Sequence, residues 1–199
     1  MALTTYANLQ TAMTSWLARD DLTSYYPDFI TLFEAEAARR LRIRVTETSA
    51  TLTPSAGSAT LPTDYMGWRR VTYNGDTLVE LEYVHPSFLP ALYPTTASGT
   101  PAVFTIEGTT FKVRPTSTTT VTLDYFSKPA ALSGTVNSVY SNHPDLYLAG
   151  SLFEAYMFDK DINNAAQWKS RRDEIFDSIK TDNFRNPGAL TIRSMTNTP

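Results

Sequence analysis

Helical periodicity occupies both ends of this 199-residue chain and stops between residues 45 and 130. That interruption constrains the fold more than any single motif. A segment patterned at 3.6 residues does not settle as a strand, and an alternating segment does not settle as a helix. The two helical ends must therefore pack with each other across a long insertion of different character. The expected fold class is α+β: a helical bundle of two N-terminal and two C-terminal helices with an inserted small antiparallel β domain.

The first helix follows Thr4 and Thr5, either of which can cap it, with Leu9, Met13, Trp16 and Leu17 near helical spacing. Asp20-Asp21 breaks it. Pro27 opens a second helix, whose apolar face is Phe29, Ile30, Phe33, Ala37 and Leu41. Acids precede bases there, and the helix ends in Arg39, Arg40, Arg42 and Arg44. This order complements the helix dipole and allows a Glu36–Arg40 pair four residues apart. The arginines read first as a solvated, well-capped helix end, with phosphate binding as the alternative. A third helix runs from Pro144 to Phe158, and a fourth from about Asn164 to Lys180 with Trp168, Ile175, Phe176 and Ile179 as its buried stripe.

Between them, candidate strands are Val45–Leu52, Ser58–Leu61, Trp68–Tyr73, Thr77–Leu81, Val103–Ile106, Thr110–Arg114 and Val121–Phe126. Asn74-Gly75-Asp76 and Glu107-Gly108 mark tight turns, and Pro86–Leu92 reads as a short helix or turn. The 30 Thr and 16 Ser suit half-exposed strands. Residues 1–44 and 143–182 are assigned to the bundle, 45–130 to the β domain, 131–142 to a connector and 183–199 to an extended C-terminal arm.

Composition removes several chemistries. Without cysteine there is no disulfide, thiol nucleophile or thiolate metal site. His85 and His143 alone do not complete a zinc site. No apolar run spans a membrane, no secretory leader is evident, and folding in a cytoplasm is the default. A net charge of −3 argues against wrapping nucleic acid by bulk electrostatics.

Phosphate loops, dinucleotide fingerprints and nucleophile elbows are absent. Both histidines precede proline, a junction context rather than that of a catalytic base. Asp159-Lys160-Asp161-Ile162-Asn163 imitates the start of a calcium loop, but Asn164 and Ser170 replace the required Gly and Glu. Glu80 and Glu82 lie two apart in a strand and would share a face. With Asp124 they are the carboxylates available to a hydrolase. Trp68 and nearby tyrosines are the rings available to a carbohydrate- or ligand-binding module on a helical stalk. Exposed coplanar rings would favour that module, and a pocket with paired carboxylates the hydrolase. No cofactor, metal or catalytic residue is assigned.

Several segments, in order, resemble tailed-phage head-to-tail adaptor (connector) proteins. They are Tyr26-Pro27-Asp28-Phe29-Ile30 through Arg39-Arg40-Leu41-Arg42; Leu61-Pro62-Thr63-Asp64-Tyr65 followed by Arg69-Arg70-Val71; Leu81-Glu82-Tyr83-Val84; Pro101 to Gly108; Asp124 to Pro129 with Leu132-Ser133; and Asn142-His143-Pro144-Asp145-Leu146-Tyr147-Leu148-Ala149-Gly150 with Leu152-Phe153-Glu154-Ala155. The resemblance covers roughly residues 3–180. It implies a non-enzymatic virion protein, assembled in the host cytoplasm into a ring that is usually a dodecamer. That ring would join the capsid portal protein to a tail or nozzle protein. Genomic DNA would pass through its channel without sequence-specific binding, and no membrane is involved. The β part would project towards tail components, and no deep polar pocket is expected. The tail, with Phe184, Leu190, Ile192, Arg193 and Met195, becomes the candidate portal-binding arm. Arg39, Arg40, Arg42 and Arg44 become candidates for the ring interface or channel.

Overall fold

The computed structural model describes residues 3–75 and 78–185, with the side chains of Leu78, Phe184 and Arg185 left aside. It is an α+β fold dividing into two compact units: residues 1–44 with 130–199, and Val45–Pro129.

The helical unit holds α1 (Tyr6–Leu17) and α2 (Tyr26–Arg40) before the β unit. The β unit contributes α3 (Leu89–Leu92), and α4 (Ser138–Asn142), α5 (Pro144–Phe158) and α6 (Ile162–Arg185) complete the helical unit. Local chemistry sets these boundaries. Thr5 Oγ1 accepts the Asn8 N–H at 3.2 Å to start α1, and Ala18 closes it in the left-handed region at φ 52°. Proline opens α2 and α5, each with an aspartate in its first turn. Asn137 caps α4 by accepting the Tyr140 N–H at 2.8 Å.

Helix α5 is the centre of this unit. Leu146, Tyr147, Ala149, Gly150, Ser151, Leu152 and Ala155 are all buried, so it is covered on several sides. Gly150 is required: a Cβ there would lie 1.9 Å from Phe33 Cδ2 of α2. Phe33 also packs edge-on to Tyr147, with centroids 5.0 Å apart, and against Phe176 of α6.

The β unit contains β1 (Glu47–Leu52), β2 (Ser58–Thr60), β3 (Tyr65–Asn74), β4 (Leu78–Glu80), β5 (Glu82–Tyr83), β6 (Val103–Glu107), β7 (Thr110–Arg114) and β8 (Val121–Ser127). They form two four-stranded sheets, ordered β1-β8-β3-β4 and β2-β7-β6-β5. Alternate residues of both sheets, among them Leu52, Val71, Phe104, Phe111, Val113, Val121 and Leu123, fill one core.

Four differences from the sequence reading have physical causes. The strand expected to end at Leu81 crosses between sheets there: the Leu81 N–H bonds Val71 O, and the Glu82 N–H bonds Ala102 O. Glu80 and Glu82 therefore sit on strands of different sheets and do not form a pair on one strand. The resulting β5 pairs with β6 in parallel, so the second sheet is mixed. The connector contains α4, a helix whose N-cap asparagine sits among polar neighbours. Finally, α6 continues through Arg185, so Asn183, Phe184 and Arg185 are helical and not part of an extended arm. Leu190, Ile192, Arg193 and Met195 lie outside the described residues.

Candidate functional site

The arginine-rich end of α2 is where positive charge is most concentrated in the sequence, and the fold divides its members. Arg40 turns inward. Its Nη1 donates to Glu36 Oε1 at 2.9 Å, one turn back, and to Asp173 Oδ1 of α6 at 2.6 Å. Its guanidinium lies 4.0 Å from the centroid of Phe176. Arg39, Arg42 and Arg44 are exposed, and the Arg44 backbone N–H donates to Asn183 Oδ1 at 2.9 Å.

Arg172 of α6 completes this network and was not singled out from the sequence. Its side chain is only 5% exposed. It donates to Glu36 Oε2 at 2.7 Å and to Asp173 Oδ1 at 3.2 Å, and it covers the Phe153 ring at 4.4 Å. A signal was present: Arg172 falls seven residues after buried Ala165 and four before buried Phe176, on the apolar stripe. Burial alone would raise the Asp173 carboxyl, but hydrogen bonds and charge from Arg40 and Arg172 outweigh it and hold it below the ordinary range. Nearby Glu154 is raised by burial and by the Glu36 charge, with Arg172 opposing.

A second polar network locks α2 to α4 and α5. Glu34 Oε1 accepts from the Leu132 N–H at 2.8 Å, from Asn137 Nδ2 at 3.3 Å and from the Tyr147 hydroxyl at 3.1 Å. Burial, with the Glu34 charge adding, raises the Tyr147 phenol.

The imitation calcium loop is a helix corner. Asp161 accepts from the Asn164 backbone and side chain at 3.1 and 2.6 Å, Asp159 pairs with Arg19, and Lys160 takes φ 60°. No group of His, Asp or Glu suited to a metal ion occurs among the described residues.

The carboxylates raised for hydrolysis are partly united. Glu80 and Asp124 line a polar hollow of about 720 Å³ with Glu47, Ser49, Arg69 and Arg70, whereas Glu82 lies on the other sheet. The hollow is a feature that the adaptor reading did not expect. Its acids meet bases: Arg69 pairs with Glu47 at 3.2 Å, and Arg70 with Asp124 at 2.8 Å. The Ser49 hydrogen bond, chiefly, and Arg70 hold Asp124 below the ordinary range against the effect of burial. A proton-donating acid needs the opposite shift.

The aromatic platform is also altered by packing. Trp68 and Tyr83 are 42% and 36% exposed, but they stack on each other at 5.6 Å and 23°, each covering one face of its neighbour. Phe104 seals them from below, edge-on to both.

Larger apolar exposure lies elsewhere. Leu32 of α2 and Tyr25, just before its first turn, are 55% and 43% exposed. Trp16 is 57% exposed and meets Trp168 edge-on at 5.3 Å instead of joining the buried face of α1. That pair borders a groove of about 540 Å³ running over α5 between α1 and α6. In the β unit, the long segment between β5 and β6 exposes Phe88 and Leu92 at 65% and 60%.

The helical unit is split by a β insertion, and its exposed apolar side chains fall in distinct patches, features that suit an assembly protein. Comparison with known families agrees: the SU10 adaptor protein family matches residues 4–193. The chain belongs to that family, and is thus a phage head-to-tail adaptor, a structural component of the virion. No curated protein matches it. No helix among the described residues is long and apolar enough to cross a membrane.

Proposed function

We propose that this chain forms a ring, of twelve copies, that joins the capsid portal to the tail or nozzle and extends the DNA channel. The observation that carries this is the family match, which runs through both units instead of one. Charge supports it. The helical unit has 12 basic and 13 acidic residues, and the β unit has 5 and 7. Neither half is net basic, so a ring built from either would let DNA slide instead of gripping it.

In this reading the protein assembles in the host cytoplasm and needs no cofactor. Residues 186–199, with Leu190, Ile192, Arg193 and Met195, reach the portal, with Phe184 in the helical turn from which the arm departs. Arg39, Arg42 and Arg44 face the ring interface or channel, while Arg40 is engaged within its own copy. Phe88 and Leu92 meet the tail component. Electron microscopy of intact particles tests the reading: density for this chain should form a closed ring directly beneath the portal. Density elsewhere, or a chain that never associates with portal protein in mass measurements, would overturn it.

A further inference from the structure

The outward side of α2, with Tyr25 just before it, repeats at alternating spacings of three and four: Tyr25, Asp28, Leu32, Ala35 and Arg39 are all exposed, Tyr25 with its ring also against Phe29 and Phe158. This is the period of a helix-packing seam, yet the helix already buries Phe29, Ile30, Phe33 and Ala37 on another side. The seam spans roughly 21 Å at 1.5 Å per residue. It has apolar residues in its middle and, towards its ends, one charge of each sign with no ion pair among the described residues.

The groove over α5 offers the complementary shape. Leu148, Ala149 and Tyr156 line it, small Ala149 permitting close approach, and Trp16 and Trp168 border it. It too carries one charge of each sign, Asp145 and Arg171. Among the described residues none of Asp28, Arg39, Asp145 and Arg171 makes an ion pair. At 100° per residue, Leu148 and Ala149 point roughly opposite to Tyr147 and Gly150, which face α2. Seam and groove therefore lie on opposite sides of one helical unit.

We infer that the groove of one copy receives the α2 seam of the next, as a helix laid into an apolar groove. Two different patches on opposite sides make a heterologous contact, which repeats head to tail until it closes. The inference rests on the proposed ring and supplies its subunit interface.

The cysteine-free chain permits a direct test. Leu32→Cys and Leu148→Cys are placed singly and together, and a short bismaleimide is added to the concentrated protein and to assembled particles. The double variant should give a ladder of multimers in at least one of the two. The two single variants mixed in solution should stop at dimers, and Thr31→Cys with Leu148→Cys should give at least tenfold less ladder. Absence of a ladder in both preparations, or an equal ladder from the Thr31 control, overturns the inference. Wild-type association with portal is read separately: if it persists without the ladder, the adaptor reading stands and this interface is wrong.

Discussion

Replacing Arg172 with methionine keeps a long apolar stem on α6 but removes the cation that Glu36, Asp173 and the Phe153 ring share. Removing one partner of a fully buried ion pair costs about 3–5 kcal/mol. Glu36 retains Arg40 at 2.9 Å and is 19% exposed, and Asp173 is 36% exposed. The expected loss is therefore about 2–3 kcal/mol, below that range because one cation and some water remain. At about 4 °C per kcal/mol for a unit of this size, the helical transition should fall by roughly 10 °C. Thermal melts followed by helical circular dichroism measure the shift, and urea melts the free-energy loss. The deficit should shrink when Glu36→Gln accompanies Arg172→Met, with a coupling energy above ~1 kcal/mol. It should also narrow in acid. Glu154 is raised in the folded state, so its ionised form opposes folding at high pH, more so once Arg172 is gone. Lowering the pH through its raised range relieves that opposition. A deficit under ~0.5 kcal/mol, or one indifferent to Glu36, would refute the claim that this charge cluster holds α2 to α6.

Gly150→Ala should destabilise the helical unit by about 1–3 kcal/mol, since its methyl would overlap the Phe33 ring; an unchanged melting temperature would contradict this. Asn137→Ala leaves the Tyr140 N–H without its cap and deprives Ala130 O, Glu34 and the Tyr147 hydroxyl of a donor. About 2–3 kcal/mol should be lost in denaturant melts. Asp173 and Asp124 are depressed in the folded state, so their contribution is present above the ordinary carboxylate value and disappears as pH falls through the folded ones, below about 4. A urea midpoint that stays flat from about pH 6 to about pH 3 would count against both networks. Deleting residues 186–199 spares α6 and should leave the melt unchanged while weakening portal association; undiminished association would remove the arm from the proposal.

The division into helical ends and a β middle was legible because period is a local property. Thr5, Pro27 and Pro144 announced their helices, and Gly108 its turn. What stayed hidden depends on tertiary partners. The spacing from Glu36 marks Arg40, but nothing local shows that Arg40 also reaches Asp173 of α6 while Arg39 faces solvent. The helical spacing places Arg172 on the buried stripe, but only α2 shows that Glu36 is the acid it meets there. The run through Leu81 reads as one strand because its alternation continues, and only the partners Val71 and Ala102 reveal that it changes sheets. Trp16 sits at helical spacing from buried Ala12 and Met13, but it lies at the margin of that face, beside the groove. Its type suggested core, while its angle placed it at an edge.

Charge also bears on how such a ring would treat DNA. An arginine repeated in every copy becomes a full circle of positive charge, and counterion release at each phosphate contact would turn that circle into a brake. Four arginines within six residues make the end of α2 the obvious source of such a brake. The fold reduces it from two directions. Arg40 is matched internally by Glu36 and Asp173, and Arg172 is spent on the same acids. Arg39 belongs to the seam, so the inferred contact would bury it against Asp145 of the next copy. Arg42 and Arg44, both exposed, would then be the arginines of this helix end to test for a place in the channel. If either lines it, Arg42→Glu or Arg44→Glu should alter DNA passage without changing ring formation, whereas Arg39→Glu should impair ring formation itself. The opposite pattern would place Arg39 in the channel and remove it from the interface.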